Sequence, residues 1–377
     1  MTRNCGLIFS SDRSDHLGSG ILAAVGVIAC AIIISTPAIG TSQATTTRKV
    51  IATTPVLERT IGEKDEVTLF QPNGLVALSA DQVTLFDWSE MQLRTFSVRT
   101  GQEIWTFGRR GEGPEEFKGA HDLIRGWDGT VTVLDKVNDR VTRVSAMGQF
   151  LSSNRLQFPV RQLLPPLRGS VLIGIPEDTL HLWAAIDQSG TIMESRRLPR
   201  EIHYSSNLAG ESYTTTVSGG VAIAFRWSDV VVVLDSIGGI QRIIHGPERV
   251  EFPSTKSYAM DPKRVKLPDP KITIKSITGT RIDPAAIPGA QDIAGAEGQL
   301  FVLFNGAGPM AGRLVDQFDI VTGTYLGTHV LPHTALSIAA LDGRRIATLE
   351  SEVVPVVRVW RLPDVRSPRR PPEGRDP

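Results

Sequence analysis

The stretch that decides the fold runs from Thr106 to Phe117 (TFGRRGEGPEEF) and continues through His121–Asp135 (HDLIRGWDGTVTVLD). Its first part is rich in glycine and charge, as expected of a connection between two sheets. The second part reads as strand, turn and strand, because apolar and β-branched runs flank the turn at Asp128-Gly129. A further strand follows at Arg140–Val144. The stretch therefore predicts a loop that leads from one antiparallel sheet into the next.

One hairpin from this pattern recurs along the chain. It consists of an apolar strand, a polar residue, a glycine turn and another strand. The turn glycines are Gly101, Gly148, Gly190, Gly238 and Gly323. A repeat of about 40 to 50 residues with four short strands per unit is the signature of a β-propeller. Because no segment keeps a helical period for long, we predict an all-β fold.

We predict a six-bladed β-propeller of four-stranded antiparallel blades within residues 56–362. The predicted blades span residues 75–107, 121–156, 160–198, 213–244, 290–331 and 335–362. The last blade lacks a fourth strand in sequence. Val56–Gly62 aligns with Glu103–Gly108, since a turn-rich linker follows both. The N-terminal strand is therefore predicted to complete the last blade and close the ring.

Seven blades remain an alternative to six. Ser276–Gly279 (SITG) resembles the repeated hairpin and would divide the long interval between Gly238 and Gly323. Seven prolines lie between residues 247 and 288. Since proline lacks the amide that a central strand needs, we favour an insertion at about 245–288.

The composition limits the class of protein. Lys plus Arg and Asp plus Glu both number 40, which argues against the basic face of a nucleic-acid binder. The 35 glycines and 24 prolines suit a turn-rich β protein. Cys5 and Cys30 are the only cysteines. The chain after residue 44 therefore has no disulfide framework and no thiol nucleophile.

The N-terminus predicts export. Residues 20–34 form an uncharged apolar run that follows Arg3 and Arg13, and Ser42–Ala44 fits a small-x-small cleavage site. We interpret residues 1–44 as a signal peptide or an uncleaved membrane anchor, and 45–55 as a linker. The tail at 363–377 is Pro-rich and charged and is predicted to be disordered. The expected location is extracytoplasmic, either periplasmic or secreted, with membrane contact only through the N-terminal segment if it is retained.

Two motifs carry a resemblance to a known family. They are Gly108–Phe117 (GRRGEGPEEF) and Asp135-x-x-Asn138-x-Arg140, which follows the strand after Asp128. Together they resemble NHL-repeat six-bladed β-propellers, and bacterial exported six-bladed β-propeller proteins in particular. The resemblance covers about residues 56–362 and implies fold more than activity.

The glycine-rich motif could be taken for a phosphate-binding loop. It lacks the Lys-Ser/Thr ending of such loops, and a strand follows it where a phosphate loop has a helix N-terminus. We therefore interpret Gly108, Gly111 and Gly113 as a connection between blades. Asp135 and Asn138 are predicted to bond nearby backbone amides as a turn device, and Arg140 to pair with Asp135 or with the next blade.

The innermost strand of each blade should begin at the mouth of a central channel. The polar residues at these positions are the candidate ligand-binding residues, namely Asn73, His121, Asp122, Arg161, Gln162, Gln291 and Asp292. Acid, amide and imidazole groups in a ring could bind a cation, a sugar or a carboxylate. We predict no catalytic residue, cofactor or resident metal, although calcium would find oxygen ligands in Asp122, Asp292, Asn73 and Gln291.

The sequence therefore favours an exported, monomeric, non-enzymatic propeller. It would bind a protein, a peptide or a carbohydrate through its top face or its channel. One alternative is a metal-dependent, lactonase-like hydrolase, although no Gly-x-Ser-x-Gly elbow is present. Another is a structural scaffold within an envelope complex.

Overall fold

The structure is a computed structural model of the chain. It describes residues 40–41, 48–63, 67–156, 160–165, 167, 172–176, 181–186, 192–197, 212–250, 253–260, 277–283, 285–351 and 353–365. The chain divides into two compact units. The larger comprises residues 40–252 and 287–377, and the smaller comprises 1–39 and 253–286.

The strands are short and follow one another in six four-stranded sets within the described residues. Two N-terminal strands come first, β1 (Gly40–Thr41) and β2 (Val56–Ile61). Sheet I contains β3 (Pro72–Ser79), β4 (Gln82–Asp87), β5 (Gln92–Ser97) and β6 (Glu103–Phe107). Sheet II contains β7 (Ala120–Arg125), β8 (Val131–Asp135), β9 (Arg140–Val144) and β10 (Phe150–Arg155). Sheet III contains β11 (Val160–Leu164), β12 (Leu172–Pro176), β13 (His181–Ile186) and β14 (Ile192–Arg197).

The second half repeats the arrangement. Sheet IV contains β15 (Ser212–Val217), β16 (Gly220–Phe225), β17 (Val230–Asp235) and β18 (Ile240–His245). The smaller unit contains the antiparallel pair β19 (Thr255–Met260) and β20 (Ile277–Ile282). Sheet V contains β21 (Ala290–Ala296), β22 (Gln299–Phe304), β23 (Leu314–Asp319) and β24 (Tyr325–Val330), with a short 3-10 helix at Gly308–Met310. Sheet VI contains β25 (Ala335–Ala340), β26 (Arg345–Ser351) and β27 (Pro355–Arg361).

The larger unit is an all-β propeller whose blades are four-stranded antiparallel sheets. Within each sheet the strands pair in chain order, and β2 pairs antiparallel with β27 as the fourth strand of sheet VI. The first strands contact one another in the order β3, β7, β11, β15, β21, β25 and back to β3. In addition, β1 pairs parallel with the outer edge of β18. The all-β propeller predicted from the hairpin repeat is thereby confirmed.

Apolar side chains fill the space between consecutive sheets. Between sheets I and II, Phe86, Phe117 and Val133 are buried in one cluster. The rings of Phe86 and Phe117 meet edge to face with centroids 5.3 Å apart, a favoured geometry for aromatic pairs. Similar clusters join sheet VI to sheet I and sheet IV to sheet V. Each sheet therefore buries both faces against its neighbours.

The repeated turn glycines also lie where one sheet contacts the next. Gly148 has a φ of +77°, and the indole of Trp105 in sheet I packs directly on it. The indole Nε1 of Trp105 donates to the carbonyl oxygen of Ala146 in the same turn, at 3.1 Å. The same arrangement joins Trp183 to Gly238, Arg242 to Gly323 and Arg59 to Gly101.

The loop at residues 108–117 is held by the residues that the sequence singled out. The carboxylate of Asp135 accepts from the amides of Val137 and Asn138, each at 3.0 Å, and Asn138 Nδ2 donates to the Gly111 carbonyl at 3.0 Å. The predicted turn device is confirmed for Asp135, whereas the Asn138 side chain bonds a carbonyl of the preceding loop and the Asp135 carboxylate rather than a nearby backbone amide. Arg140 differs from expectation, because its guanidinium donates to the carbonyls of Glu112, at 2.8 Å, and Gly113. Those carbonyls lie on the loop that precedes sheet II.

Several sequence predictions fall outside the described residues. They are the signal or anchor before residue 40, the turn at 187–190, most of the insertion at about 245–288, and the tail after residue 365. The described part of the chain contains no helix with the length and hydropathy needed to cross a bilayer.

Candidate functional site

The first strands of the sheets surround a central cavity of about 190 Å³. We call the end at which these strands begin the mouth. Because strands alternate in direction within an antiparallel sheet, the turns between second and third strands lie at the mouth as well. The turns between third and fourth strands, which carry the repeated glycines, lie at the opposite end.

The strand register arranges the channel residues in layers. The layer nearest the mouth pairs with Phe86, Leu134, Ile175, Ala224, Leu303 and Leu349 of the second strands. Its members are Asn73, Asp122, Gln162, Tyr213, Asp292 and Ser337, and all six are polar. Four of them were predicted from the sequence. Tyr213 and Ser337 were missed, although each also lies near the start of the first strand of its sheet.

Three other predicted residues occupy β-bulges. His121, Arg161 and Gln291 are extra residues in the ladders between first and second strands, so they do not share the register of their neighbours. Leu336 is the corresponding residue of sheet VI and is 46% exposed. The side chain of Arg161 lies outside the described residues. The bulges therefore add His121, Gln291 and Leu336 to the rim, outside the register of the polar layer.

The Asp122 carboxylate joins sheet II to sheet III. One oxygen accepts from the amide of Leu123 at 3.0 Å, and the other accepts from the amide of Leu163 on β11 at 2.7 Å. Burial raises the pKa of Asp122 to about 6, against the opposing effect of these two amides.

Asp292 repeats this arrangement between sheets V and VI. It accepts from the amide of Ile293 at 2.8 Å, from the amide of Ile338 on β25 at 2.9 Å, and from the Ser337 hydroxyl. Burial raises its pKa to about 6 as well, and repulsion from the Asp122 carboxylate adds to the effect. Two carboxyl groups at one level of the channel thus hold neighbouring sheets together.

The amide side chains at the mouth are also engaged. Gln162 Oε1 accepts from the Ser212 hydroxyl at 2.6 Å, which joins sheets III and IV. Gln291 Nε2 donates to the carbonyls of Ala335 at 2.9 Å and Leu336 at 3.2 Å. Asn73 is exposed at the mouth. Of the predicted amides, Asn73 is therefore the one whose side chain faces solvent most openly.

The described residues contain no group of three or more His, Cys, Asp or Glu side chains that could hold a metal ion. Asp122 and Asp292 use both carboxylate oxygens on backbone amides or a hydroxyl. A calcium ion would have to compete with those donors for the oxygens. The geometry therefore gives these residues a structural part, and their role toward a ligand stays a prediction.

A band of apolar side chains borders the mouth. Trp88, His121 and Val137 all lie around Gly119, and the rings of Trp88 and His121 meet edge to face at 5.7 Å. Phe70 adjoins this group, because its amide donates to Asp87 and the Trp88 amide donates to Gln71.

The band continues into sheet VI. Leu69 and the Pro355 carbonyl both lie within 3.2 Å of the Cβ position of Gly62. Pro355 follows the turn that carries Val353 and Val354. We call Phe70, Trp88, Val137, Val353 and Val354 the apolar arc. Apart from Trp88, each of these side chains is between 46% and 99% exposed.

A comparison with one solved structure, from Bacteroides fragilis, supports the propeller fold. No family model matches the sequence, and no curated protein matches it. A candidate exported protein from Bacteroides fragilis is similar in structure, with a TM-score of 0.55, 10% identity, and coverage of 85% of this chain and 99% of that one. A protein of unknown function from Bacteroides thetaiotaomicron has a TM-score of 0.49 and 10% identity, over 84% and 75% of the two chains. Virginiamycin B lyase from Staphylococcus aureus has a TM-score of 0.43 and 11% identity, over 77% and 80%. At such identities the likeness concerns the fold alone.

Proposed function

We propose that this chain is an exported, non-enzymatic, six-bladed propeller that binds a segment of a partner protein across the mouth of its channel. The observation that carries the proposal is the apolar arc. Val353 is 99% exposed, Val137 57% and Phe70 56%. Exposed apolar patches with a polar surround mark binding surfaces in soluble proteins.

The arc has the chemistry of a peptide-binding surface. Trp88 of the arc meets the exposed imidazole of His121 at 5.7 Å, and Asn73 is a further exposed polar residue at the mouth. An extended segment could place apolar side chains on Phe70 and Val353, and its backbone groups could meet the polar groups at the rim. Interfaces of this kind combine an apolar centre with a polar border.

We propose six blades, as in NHL-repeat propellers, because the last sheet contacts the first sheet in the same way as other sheets contact their neighbours. Arg59 on β2 donates to the Arg99 carbonyl in sheet I at 2.7 Å. Trp105 and Arg242 make the equivalent contact from sheets I and IV to their following sheets. The strand β2 therefore acts as an ordinary fourth strand, and the N-terminal part of the chain ties the last blade to the first.

A carbohydrate is the second candidate, and the pair of Trp88 and His121 favours it. Aromatic rings supply an apolar surface with a polar tip, and the neighbouring amide of Asn73 can bond hydroxyl groups. A sugar would contact this part of the arc, whereas a peptide would extend over Phe70 to Val353.

The test uses peptide display and a glycan array on the purified protein. A variant with Phe70→Ser, Val137→Ser and Val353→Ser replaces the three most exposed side chains of the arc. The matched control is Met147→Ser, Ile237→Ser and Val321→Ser, which are 66% to 79% exposed at the opposite end. We expect selected peptides to bind the wild type and the control equally and to bind the arc variant at least tenfold more weakly.

Two outcomes would contradict the proposal. Peptides that bind the arc variant as well as the wild type would place the binding surface elsewhere. Metal-dependent turnover of lactones that is lost in Asp122→Ala would favour the hydrolase predicted as an alternative. A fusion of residues 1–44 to alkaline phosphatase tests export separately, because that reporter is active only outside the cytoplasm.

A further inference from the structure

A second layer of channel residues lies farther from the mouth, and it contains one charged side chain. Its members are Ala77, Arg125, Thr216, Gly295 and Ala340, which pair with Val83, Val131, Val221, Leu300 and Ile346. All five line the central cavity. Arg125 ends β7, and the other four side chains are small and uncharged. The register therefore leaves open space around a single guanidinium.

The Arg125 guanidinium has no counterion in the part of the chain that the structure describes. No carboxylate there affects its pKa, and its Nε is buried without a hydrogen-bond partner. Burial lowers the pKa of Arg125, with no carboxylate to oppose the shift. An unpaired, partly desolvated cation costs free energy, so such a residue usually has a partner.

The geometry points to a small anion as that partner. We propose that Arg125 binds the carboxylate or phosphate group of a small molecule held within the central channel. A guanidinium presents a planar fork of donors that matches both groups. The cation lies among low-dielectric walls, where its attraction for an anion is stronger than on an open surface. This site is separate from the apolar arc, and the two proposals can fail independently.

The channel also limits the rest of the ligand. Its volume of about 190 Å³ is below that of clefts for drug-sized molecules, which run to roughly 300–1,000 Å³. The layer nearer the mouth presents acids and amides, including Asp122, Gln162 and Asp292. A second anionic group would meet carboxylates there, whereas hydroxyl groups would find acceptors. The ligand class is therefore a small molecule with one anionic group and with hydroxyl groups.

Titration calorimetry at low ionic strength tests the proposal with three probes. Glycerate carries a carboxylate, glycerol 3-phosphate carries a phosphate, and glycerol is the neutral control. We expect saturable binding of at least one anion and none of glycerol. The Arg125→Gln variant should bind that anion roughly tenfold to a hundredfold more weakly, as expected for the loss of a hydrogen bond to a charged group. Arg99→Gln, a change at an exposed arginine outside the channel, should leave affinity unchanged.

Thermal unfolding supplies a second readout. Arg125→Gln removes an unpaired cation, so the variant without ligand should be at least as stable as the wild type. The active anion should raise the Tm of the wild type and of Arg99→Gln only. The proposal is overturned if neither anion binds the wild type, or if Arg125→Gln binds as tightly. A carboxylate-only or phosphate-only result supports it and identifies the group.

Discussion

The indole ring of Trp105 lies so close to Gly148 that a methyl group added to the glycine would come within 2.7 Å of the ring. The two residues belong to consecutive sheets, and the indole also donates to the carbonyl of Ala146. A side chain is therefore unfavourable at this recurring glycine for two reasons. It adopts a positive φ, and the preceding sheet packs against it.

The first prediction separates those two reasons. Gly298 has a φ of +76°, close to the +77° of Gly148, but no atom lies within 4 Å of its Cβ position. Gly298→Ala should lower the free energy of unfolding by about 1–2 kcal/mol through its backbone conformation alone. Gly148→Ala should cost a further 1–3 kcal/mol or so from overpacking against Trp105. Urea unfolding of both variants measures the difference, and equal losses would show that the contact between sheets is unimportant.

The second prediction concerns the N-terminal segment. The Arg48 guanidinium pairs with buried Asp316 at 3.1 Å and lies 4.2 Å from the centroid of the Phe304 ring. Burial raises the pKa of Asp316 to about 6, while Arg48 opposes that rise. Arg48→Ala should therefore destabilise the protein by roughly 3–5 kcal/mol, because a buried carboxylate loses its cation.

The pH dependence of this variant follows from the same pair. Without Arg48, the pKa of Asp316 in the folded state rises further above its unfolded value. The folded state then loses stability as pH rises through that folded pKa, so Arg48→Ala should be more destabilising at pH 8 than at pH 5. Adding Asp316→Asn should recover part of the loss at pH 8. An identical loss at both pH values would rule out the ion pair as its cause.

The third prediction concerns His329, which is fully buried in sheet V. Its Nε2 lies 2.7 Å from Gln317 Oε1, and burial lowers its pKa to about 4. Because the unfolded chain binds this proton near pH 6.5, stability should fall as pH drops from 6.5 towards 4. The lowered pKa of His329 should reduce the free energy of unfolding by roughly 2 kcal/mol at pH 5 relative to pH 8. His329→Gln should flatten that part of the pH–stability curve, and an unchanged slope would assign it to other groups.

The fourth prediction tests the structural part of the channel acids. Asp122→Ala and Asp292→Ala should each lower the free energy of unfolding by about 1–3 kcal/mol, since backbone amides of neighbouring sheets lose their acceptor. Asn73→Ala, at an exposed side chain in the same mouth, should change it by under about 0.5 kcal/mol.

The size of this loss should depend on pH. A carboxyl group whose folded pKa is raised to about 6 stabilises the fold most at low pH, and the benefit falls as pH rises through 6. Both aspartate variants should therefore be less destabilising at pH 8 than at pH 5. If the aspartate variants unfold like the wild type at both pH values, the structural role of Asp122 and Asp292 is contradicted. Ligand binding then remains as the explanation for their position in the channel.

Much of the fold followed from local patterns. The glycine turns and the alternation of apolar runs predicted four-stranded antiparallel sheets, and the likeness of Val56–Gly62 to Glu103–Gly108 pointed to the strand that pairs with β27. Asp135 was recognisable because Asx side chains bond amides only a few residues away. These features depend on contacts that are short in sequence or repeated along it.

The channel was predictable only in part. Asn73, Asp122, Gln162 and Asp292 were found from their position at strand starts, but Tyr213 and Ser337 share their layer and were missed. The β-bulge at Leu336 explains the difficulty for Ser337, whereas the ladder of Tyr213 has no bulge. An extra residue shifts the register by one, so counting along the strand does not show which side chain faces the channel.

The sequence by itself determined the class of fold, the repeat and the turns, because those depend on backbone conformation and on the alternation of apolar residues along one strand. Tertiary structure decided the rest. Arg125 lines the cavity with four small residues from four other sheets, and the Asp122 carboxylate accepts a hydrogen bond from the amide of Leu163 in the next sheet. Such relationships depend on the register and packing of segments distant in sequence, and no local pattern encodes how closely those segments approach.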